Sequence, residues 1–264
     1  MSTLSVKPQE TSASIAGVRR VDVSRPLVWL RLGWRDLKRG WPVSLAYGAA
    51  FALLGWLLTT YAVGRPHLVM ALTTGFLLVA PFLALGFYGI SRHYEQRHGL
   101  HGPGAIRQPF VGLRRNGNSI GLFALMLAII LSAWERISAL LVGLFVRNDL
   151  IADGYFSLAL LFDASHAGFV AAYVFFGGTL ALLVFAMSVV SLPMMLDRRV
   201  DMVTAMLTSL AAVRQNPLTM LVWAAIIVAL SVIGVMTWFV GLVVLYPLLG
   251  HASWHAYREL VERH

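Results

Sequence analysis

Apolar runs long enough to cross a bilayer alternate along this chain with short segments that hold most of its arginines. From Gln215 to Tyr257 there is no Asp, Glu, Lys or Arg, and four further apolar stretches occupy much of the remainder. A hydrocarbon core of about 30 Å is crossed by about 20 apolar residues wound as a helix, which satisfies every backbone N–H and C=O within its own segment. The pattern predicts an all-α membrane protein with about six transmembrane helices, near 41–62, 68–90, 120–146, 167–196, 218–235 and 238–256. The last two share one stretch, too long for a single span, that turns between Gly234 and Gly241; two short spans or a re-entrant pair both satisfy it. The third run is longer than a bilayer requires. Residues 1–25 are polar and are expected to be disordered, without a cleavable signal peptide, leaving 26–264 as a single integral membrane domain.

Two segments between the runs have helical periodicity of another kind. Leu27, Leu30, Trp34 and Leu37 recur on one side while Arg31, Arg35, Lys38 and Arg39 take the other, which predicts a short helix in the headgroup region with Trp29 and Trp34 as anchors. Val203, Met206, Leu207, Leu210 and Val213 repeat the pattern before the fifth run. Three segments end in a basic residue, a breaker and then an apolar hairpin: Arg39-Gly40-Trp41-Pro42, Arg115-Asn116-Gly117-Asn118 and Arg214-Gln215-Asn216-Pro217. This reads as three amphipathic-helix-plus-hairpin repeats, although any even-numbered bundle with its basic residues on one side looks periodic at this level. Gly48, Ala52 and Gly55 in the first span and Gly177-Gly178 in the fourth would let helices approach closely.

Charge adds orientation. Eighteen of the 21 lysines and arginines fall in the N-terminal segment, the loop after span two, the loop after span four and the C-terminal tail. Only Arg65 and Arg147 fall on the opposite face, and Arg136 lies inside span three. Basic residues are retained on the cytoplasmic side during insertion, so both termini are expected in the cytoplasm of a bacterial inner membrane. The net charge of +9 then points to anionic lipid headgroups rather than to nucleic acid. Zero cysteines removes disulfides and thiolate chemistry. The chain has no Gly-rich phosphate loop, Ser-His-Asp set, carboxylate pair or zinc-protease spacing, so no catalytic residue, metal site or cofactor is expected and an enzyme is not indicated.

The run from Met187 to Pro217, with Ser191-Leu192-Pro193-Met194-Met195-Leu196-Asp197-Arg198 leading into Asp201-Met202-Val203-Thr204-Ala205-Met206, resembles an uncharacterised family of bacterial multi-pass integral inner-membrane proteins. So do the closing Pro247-Leu248-Leu249-Gly250-His251-Ala252-Ser253-Trp254-His255-Ala256-Tyr257-Arg258 and the opening Trp34-Arg35-Asp36-Leu37 with Ser44-Leu45-Ala46-Tyr47-Gly48. The resemblance spans most of the chain after about Val21. It implies a multi-pass inner-membrane protein, and because the family has no established activity it carries over no functional residues.

Some members of that family are loosely labelled cytochrome c oxidase subunit I-like, which directs attention to His251 and His255. Four residues apart, they share a helix face and are the candidates for a cofactor such as haem. The simpler reading makes them interfacial histidines beside Trp254 and Tyr257, and six spans with so few internal ligands do not assemble an oxidase core. Glu135 and Arg136 are the ionisable pair within a span and the candidates for ion transport; alternatively, span three ends near Ser132 and Trp134 to Val146 continues as a tilted helix. The expected function is a non-catalytic scaffold or assembly component, working with other inner-membrane proteins. The alternatives are a small transporter or channel, or a haem-associated respiratory subunit.

Overall fold

The computed structural model describes residues 16–62, 66–96, 108–145 and 167–262, and its regular structure is helical throughout. In chain order the helices are α1 (Arg25–Arg39), α2 (Trp41–Ala62), α3 (Pro66–Gln96), α4 (Gln108–Phe145), α5 (Ala167–Ser188), α6 (Ser191–Asp197), α7 (Met202–Gln215), α8 (Pro217–Met236) and α9 (Leu242–Leu260). Proline opens α3 and α8 and occupies the first turn of α1, positions where its missing N–H has no helical partner to lose. Asp201 caps α7 by accepting from the Thr204 backbone N–H at 2.9 Å.

Four helical segments among the described residues are long and apolar enough to cross a membrane: Trp41–Tyr61, Asn116–Phe145, Ala167–Asp197 and Pro217–Met236. The expected spans near 68–90 and 238–256 coincide with helices α3 and α9 but are not among these four. In α9 the reason is visible, since its apolar run is followed from Gly250 onward by His251, Ser253, His255, Arg258 and Glu259. The chain turns at 237–241, within the interval expected, and the turn separates two helices of 20 and 19 residues. Trp238 and Phe239 take left-handed backbone angles there (φ 54° and 67°), and the Thr237 hydroxyl accepts from Gly241 N–H at 2.9 Å.

One other boundary differs from expectation. The fourth run is broken at Val189–Val190 into α5 and α6: Pro193 has no N–H to give the Val189 carbonyl one turn back, and Val190 N–H donates to the Ser209 hydroxyl of α7 at 3.2 Å. The third run is helical to Phe145, as both readings of it expect, and the only non-helical residue of α4 is Asn116. Residues 16–22, placed by the sequence in a disordered segment, are ordered without helix and lead through a turn at Val23–Ser24 into α1. Val18 pairs antiparallel with Val261, Arg19 N–H donates to Leu260 at 2.8 Å, and Glu262 N–H donates to Gly17 at 2.9 Å. The rest of that segment lies outside the described residues.

Helix α9 is the centre of the bundle, buried along much of its length and packed against α1, α2, α3 and α8. Glycines make the closest of these contacts. A Cβ on Gly33 would lie 2.7 Å from the Ala252 backbone nitrogen, and one on Gly48 would lie 2.2 Å from the Val243 carbonyl oxygen. Trp223 of α8 meets Trp29 of α1 edge to face, with ring centroids 5.6 Å apart.

The amphipathic helices are turned differently from the periodicity reading. In α1 the inward side is Pro26, Trp29, Gly33, Asp36 and Leu37, while Leu27 and Trp34 are exposed. Trp29 is therefore a core residue rather than a headgroup anchor, and its indole N–H donates to Glu259 at 2.6 Å. In α7 the inward side is Thr204, Ala205, Thr208, Ser209 and Ala212, whereas Val203 and Leu207 face out. Small or polar residues thus supply much of the inward side, alongside Trp29 and Leu37, while Leu27, Trp34, Val203 and Leu207 face outward, an arrangement that suits lipid surroundings in which burial of apolar area between helices brings little gain.

The three junctions between a basic helix and the apolar helix after it share one backbone conformation: Gly40 (φ −114°, ψ 34°), Asn116 (φ −139°, ψ 31°) and Asn216 (φ −129°, ψ 52°). Each asparagine grips an extended segment that leads into another basic helix. Asn116 Nδ2 donates to the carbonyl of Val200 (2.8 Å), just before α7, and to that of Met195 in α6 (3.2 Å). Asn216 Nδ2 donates to Arg19 O (2.9 Å) and its Oδ1 accepts from Val21 N–H (2.8 Å), just before α1.

Candidate functional site

The end of the bundle where Val18 meets Val261 gathers a buried polar cluster from five helices. Asp36 comes from α1 on the same inward stripe as Trp29 and Gly33. Ser44 comes from the first turn of α2, Ser91 and Arg92 from the last turns of α3, Asp197 from the end of α6, and His251, His255 and Arg258 from α9. Asp36 and His255, which meet here, are 219 positions apart in the chain.

Proton positions follow from the partners. Ser91 Oγ donates to Asp36 Oδ2 at 2.7 Å, and the same carboxylate oxygen faces His255 Nε2 at 2.8 Å. An ionised carboxylate only accepts, so the single Ser91 proton is committed to Asp36, and Ser91 Oγ accepts from His251 Nδ1–H across 2.7 Å. In a neutral ring His251 Nε2 then accepts the Ser44 hydroxyl at 2.9 Å. Ser44, His251, Ser91, Asp36 and His255 form one directed chain, with Phe87 packed edge-on to the His251 ring. Burial opposes ionisation of Asp36, but hydrogen bonds from His255 and Ser91 and the charge of His255 outweigh it, holding the carboxyl below its usual range.

A second layer of ion pairs closes the site. Arg92 and Arg258 share Asp197, at 2.8 and 3.2 Å, and Tyr257 donates its hydroxyl to the same carboxylate at 2.9 Å. Arg258 also binds Glu95 at 2.8 Å, where the Trp254 indole N–H arrives at 3.3 Å. Arg198 joins Tyr257 and the Glu262 carbonyl, tying the C-terminal segment to the end of α6. A cleft of about 150 Å³ opens beside Asp36 and His255, bordered by Arg35, Arg39, Tyr94 and Glu95.

Both histidines named from the sequence lie here. Four-residue spacing does put them on one side of α9, but each is turned onto Asp36, His255 directly and His251 through Ser91, and both ring nitrogens of His251 are engaged. Among the described residues no group of three His, Asp or Glu is disposed to hold a metal ion. Glu135 and Arg136 are elsewhere, midway along α4: Glu135 is half-buried, and Arg136 is exposed with its guanidinium against the Ser132 carbonyl one turn back at 3.4 Å. Sequence reasoning missed Asp36, Ser44, Ser91 and Asp197. A signal for Asp36 was present, since it follows Trp29 and Gly33 at helical spacing; nothing local marks the two serines.

The model of a family described as "Predicted integral membrane protein (DUF2189)" matches residues 68–197. That stretch runs from α3 to α6 and contributes Ser91, Arg92, Glu95 and Asp197 to the cluster. No curated protein and no solved structure matches the chain.

Proposed function

We propose, for this integral membrane protein matching an uncharacterised multi-pass family, a non-catalytic role as a scaffold or assembly component of the bacterial inner membrane. In this reading α3 and α9 join the four apolar segments to make six crossings, with both ends of the chain in the cytoplasm. The pairing of Val18 with Val261 supports an even number of crossings, and the basic residues beside it support the cytoplasmic side. Three units, each a basic helix followed by two spans, close into a ring: the three like junctions and the asparagine that ties the third unit to the segment entering the first support this arrangement. Exposed Arg31, Arg35 and Lys38, with Leu27 and Trp34 beside them, suit a headgroup layer containing anionic lipid.

The observation that carries the reading is how the polar centre is used. Its serines, carboxylates and arginines are bonded to one another across five helices, so the chemistry of the site goes into holding helix ends together. Iron ligation through His251 would require breaking its bond to Ser44 or Ser91, and Glu135 and Arg136 lie apart from the polar centre, so neither alternative gains support from the geometry. Affinity purification in mild detergent, with a visible spectrum of the eluate, tests the role. A stoichiometric membrane-protein partner and a featureless spectrum are expected. A Soret band lost in His255→Ala, or solute uptake by proteoliposomes lost in Glu135→Gln, would overturn it.

A further inference from the structure

We infer that α4 pairs with α4 of a second copy of this chain, about a twofold axis along the membrane normal, with Glu135 of each copy meeting Arg136 of the other. The inference rests on the reading that α4 crosses the membrane, and it names one partner for the scaffold. The segment Asn116–Phe145 is the least enclosed of the four apolar segments, with 17% of its most apolar window buried. Its inward side is Phe123, Leu127, Ser138 and Leu141. At 100° per residue the opposite side carries Gly121, Ser132, Ala139 and Gly143, with the exposed Leu125 about two to three turns before the charged pair. A Cβ added at Gly121 or Gly143 meets nothing within 4 Å, so this side is open among the described residues.

Glu135 and Arg136 interrupt this outward side between apolar stretches. Neither forms an ion pair within the chain among the described residues, and the single hydrogen bond of Arg136 is to its own helix. Charges within hydrocarbon are disfavoured unless paired. Neighbours diverge by about 100° on a helix, so the two side chains flank the line through Gly121, Ser132 and Ala139, one on each side. A twofold axis brings the left flank of one copy against the right flank of the other, as an isologous interface requires. It forms two reciprocal Glu–Arg pairs at one depth, and the small residues between them let the backbones approach. A different protein would need its own matching acid and base at that depth; a second copy has them already.

The absence of cysteine makes the test direct. Single variants Ser132→Cys and Ala139→Cys are oxidised in native membranes, with Ile137→Cys, a third of a turn or more off the contact line, as control. Disulfide-linked product at twice the chain mass is expected for the first two and not for the third. In the Ser132→Cys background Glu135→Arg alone and Arg136→Glu alone should abolish the product, and both together should restore it. Absence of product from a Ser132→Cys chain shielded from membrane-impermeant maleimide would overturn the pairing, as would equal cross-linking of Ile137→Cys or a product of any other mass. Rapid maleimide labelling of Ser132→Cys from water would instead overturn the membrane placement of α4 on which the pairing stands.

Discussion

At the scale of the residue, Asp36 holds the most consequential bonds in the molecule. Removing its carboxylate leaves the buried Ser91 hydroxyl and the partly exposed His255 without their acceptor, and loss of one partner of a buried charged pair costs about 3–5 kcal/mol. Asp36→Ala is therefore expected to lower the unfolding free energy in detergent by about 3 kcal/mol, and Asp36→Asn by less, because the amide still fills the space. The pH dependence has a definite sign. A carboxyl whose pKa is lowered by folding stabilises fully above its ordinary value of 3.8, and that contribution is lost as pH falls through the lower folded value. The wild-type protein should lose additional thermal stability on acidification from 3.8 down to the lower folded value, and Asp36→Asn should lose less; equal slopes would show that the group is not ionised in the fold. Gly48 gives a steric counterpart. Gly48→Val places a carbon against the Val243 carbonyl and should separate α2 from α9, whereas Gly178→Val, whose added carbon meets nothing within 4 Å, should leave the melting temperature nearly unchanged.

At the scale of the element, the junction asparagines decide how basic helices attach to spans. Asn116 and Asn216 each satisfy backbone groups of a segment far away in sequence. Asn116→Ala and Asn216→Ala should each cost about 1–3 kcal/mol, the penalty for leaving buried backbone partners unmet, while Asn118→Ala at an exposed position should be neutral in the same melts. Breaker residues are readable from the chain: the turn at 237–241 lies between Gly234 and Leu242 and ends on Gly241, and the kink at Asn116 falls in Asn116-Gly117-Asn118. The break at Val189–Val190 was not legible, because Pro193 is compatible with a helix until α7 brings Ser209 alongside to satisfy the freed amide. The facing of α1 and α7 was misread for a physical reason. Periodicity separates apolar from polar sides, but in lipid the apolar side has no preference for the protein, and Gly33 or Ser209 at the contact permits the closer approach.

At the scale of the whole molecule, residues 17–19 and 260–262 close the chain on itself. A double variant Val18→Cys/Val261→Cys, in a background free of other cysteines, should oxidise to an intramolecular disulfide, detected as faster migration that reductant reverses, since directly opposed strand residues lie about 4.5–5.5 Å apart at Cα. A reporter fused after His264 should be active only on the cytoplasmic side if the proposed orientation holds.

The membrane class and the positions of most helices were decided by the amino-acid sequence alone, because run length and breakers are local properties that act before any helix meets another. The meeting of Asp36 with His255, and of Ser44 and Ser91 with His251, was decided only by the tertiary structure. Those bonds join residues separated by 160 to 219 positions, and in a chain whose surroundings are as apolar as its interior, it is close packing and polar satisfaction, not hydrophobicity, that select which faces come together.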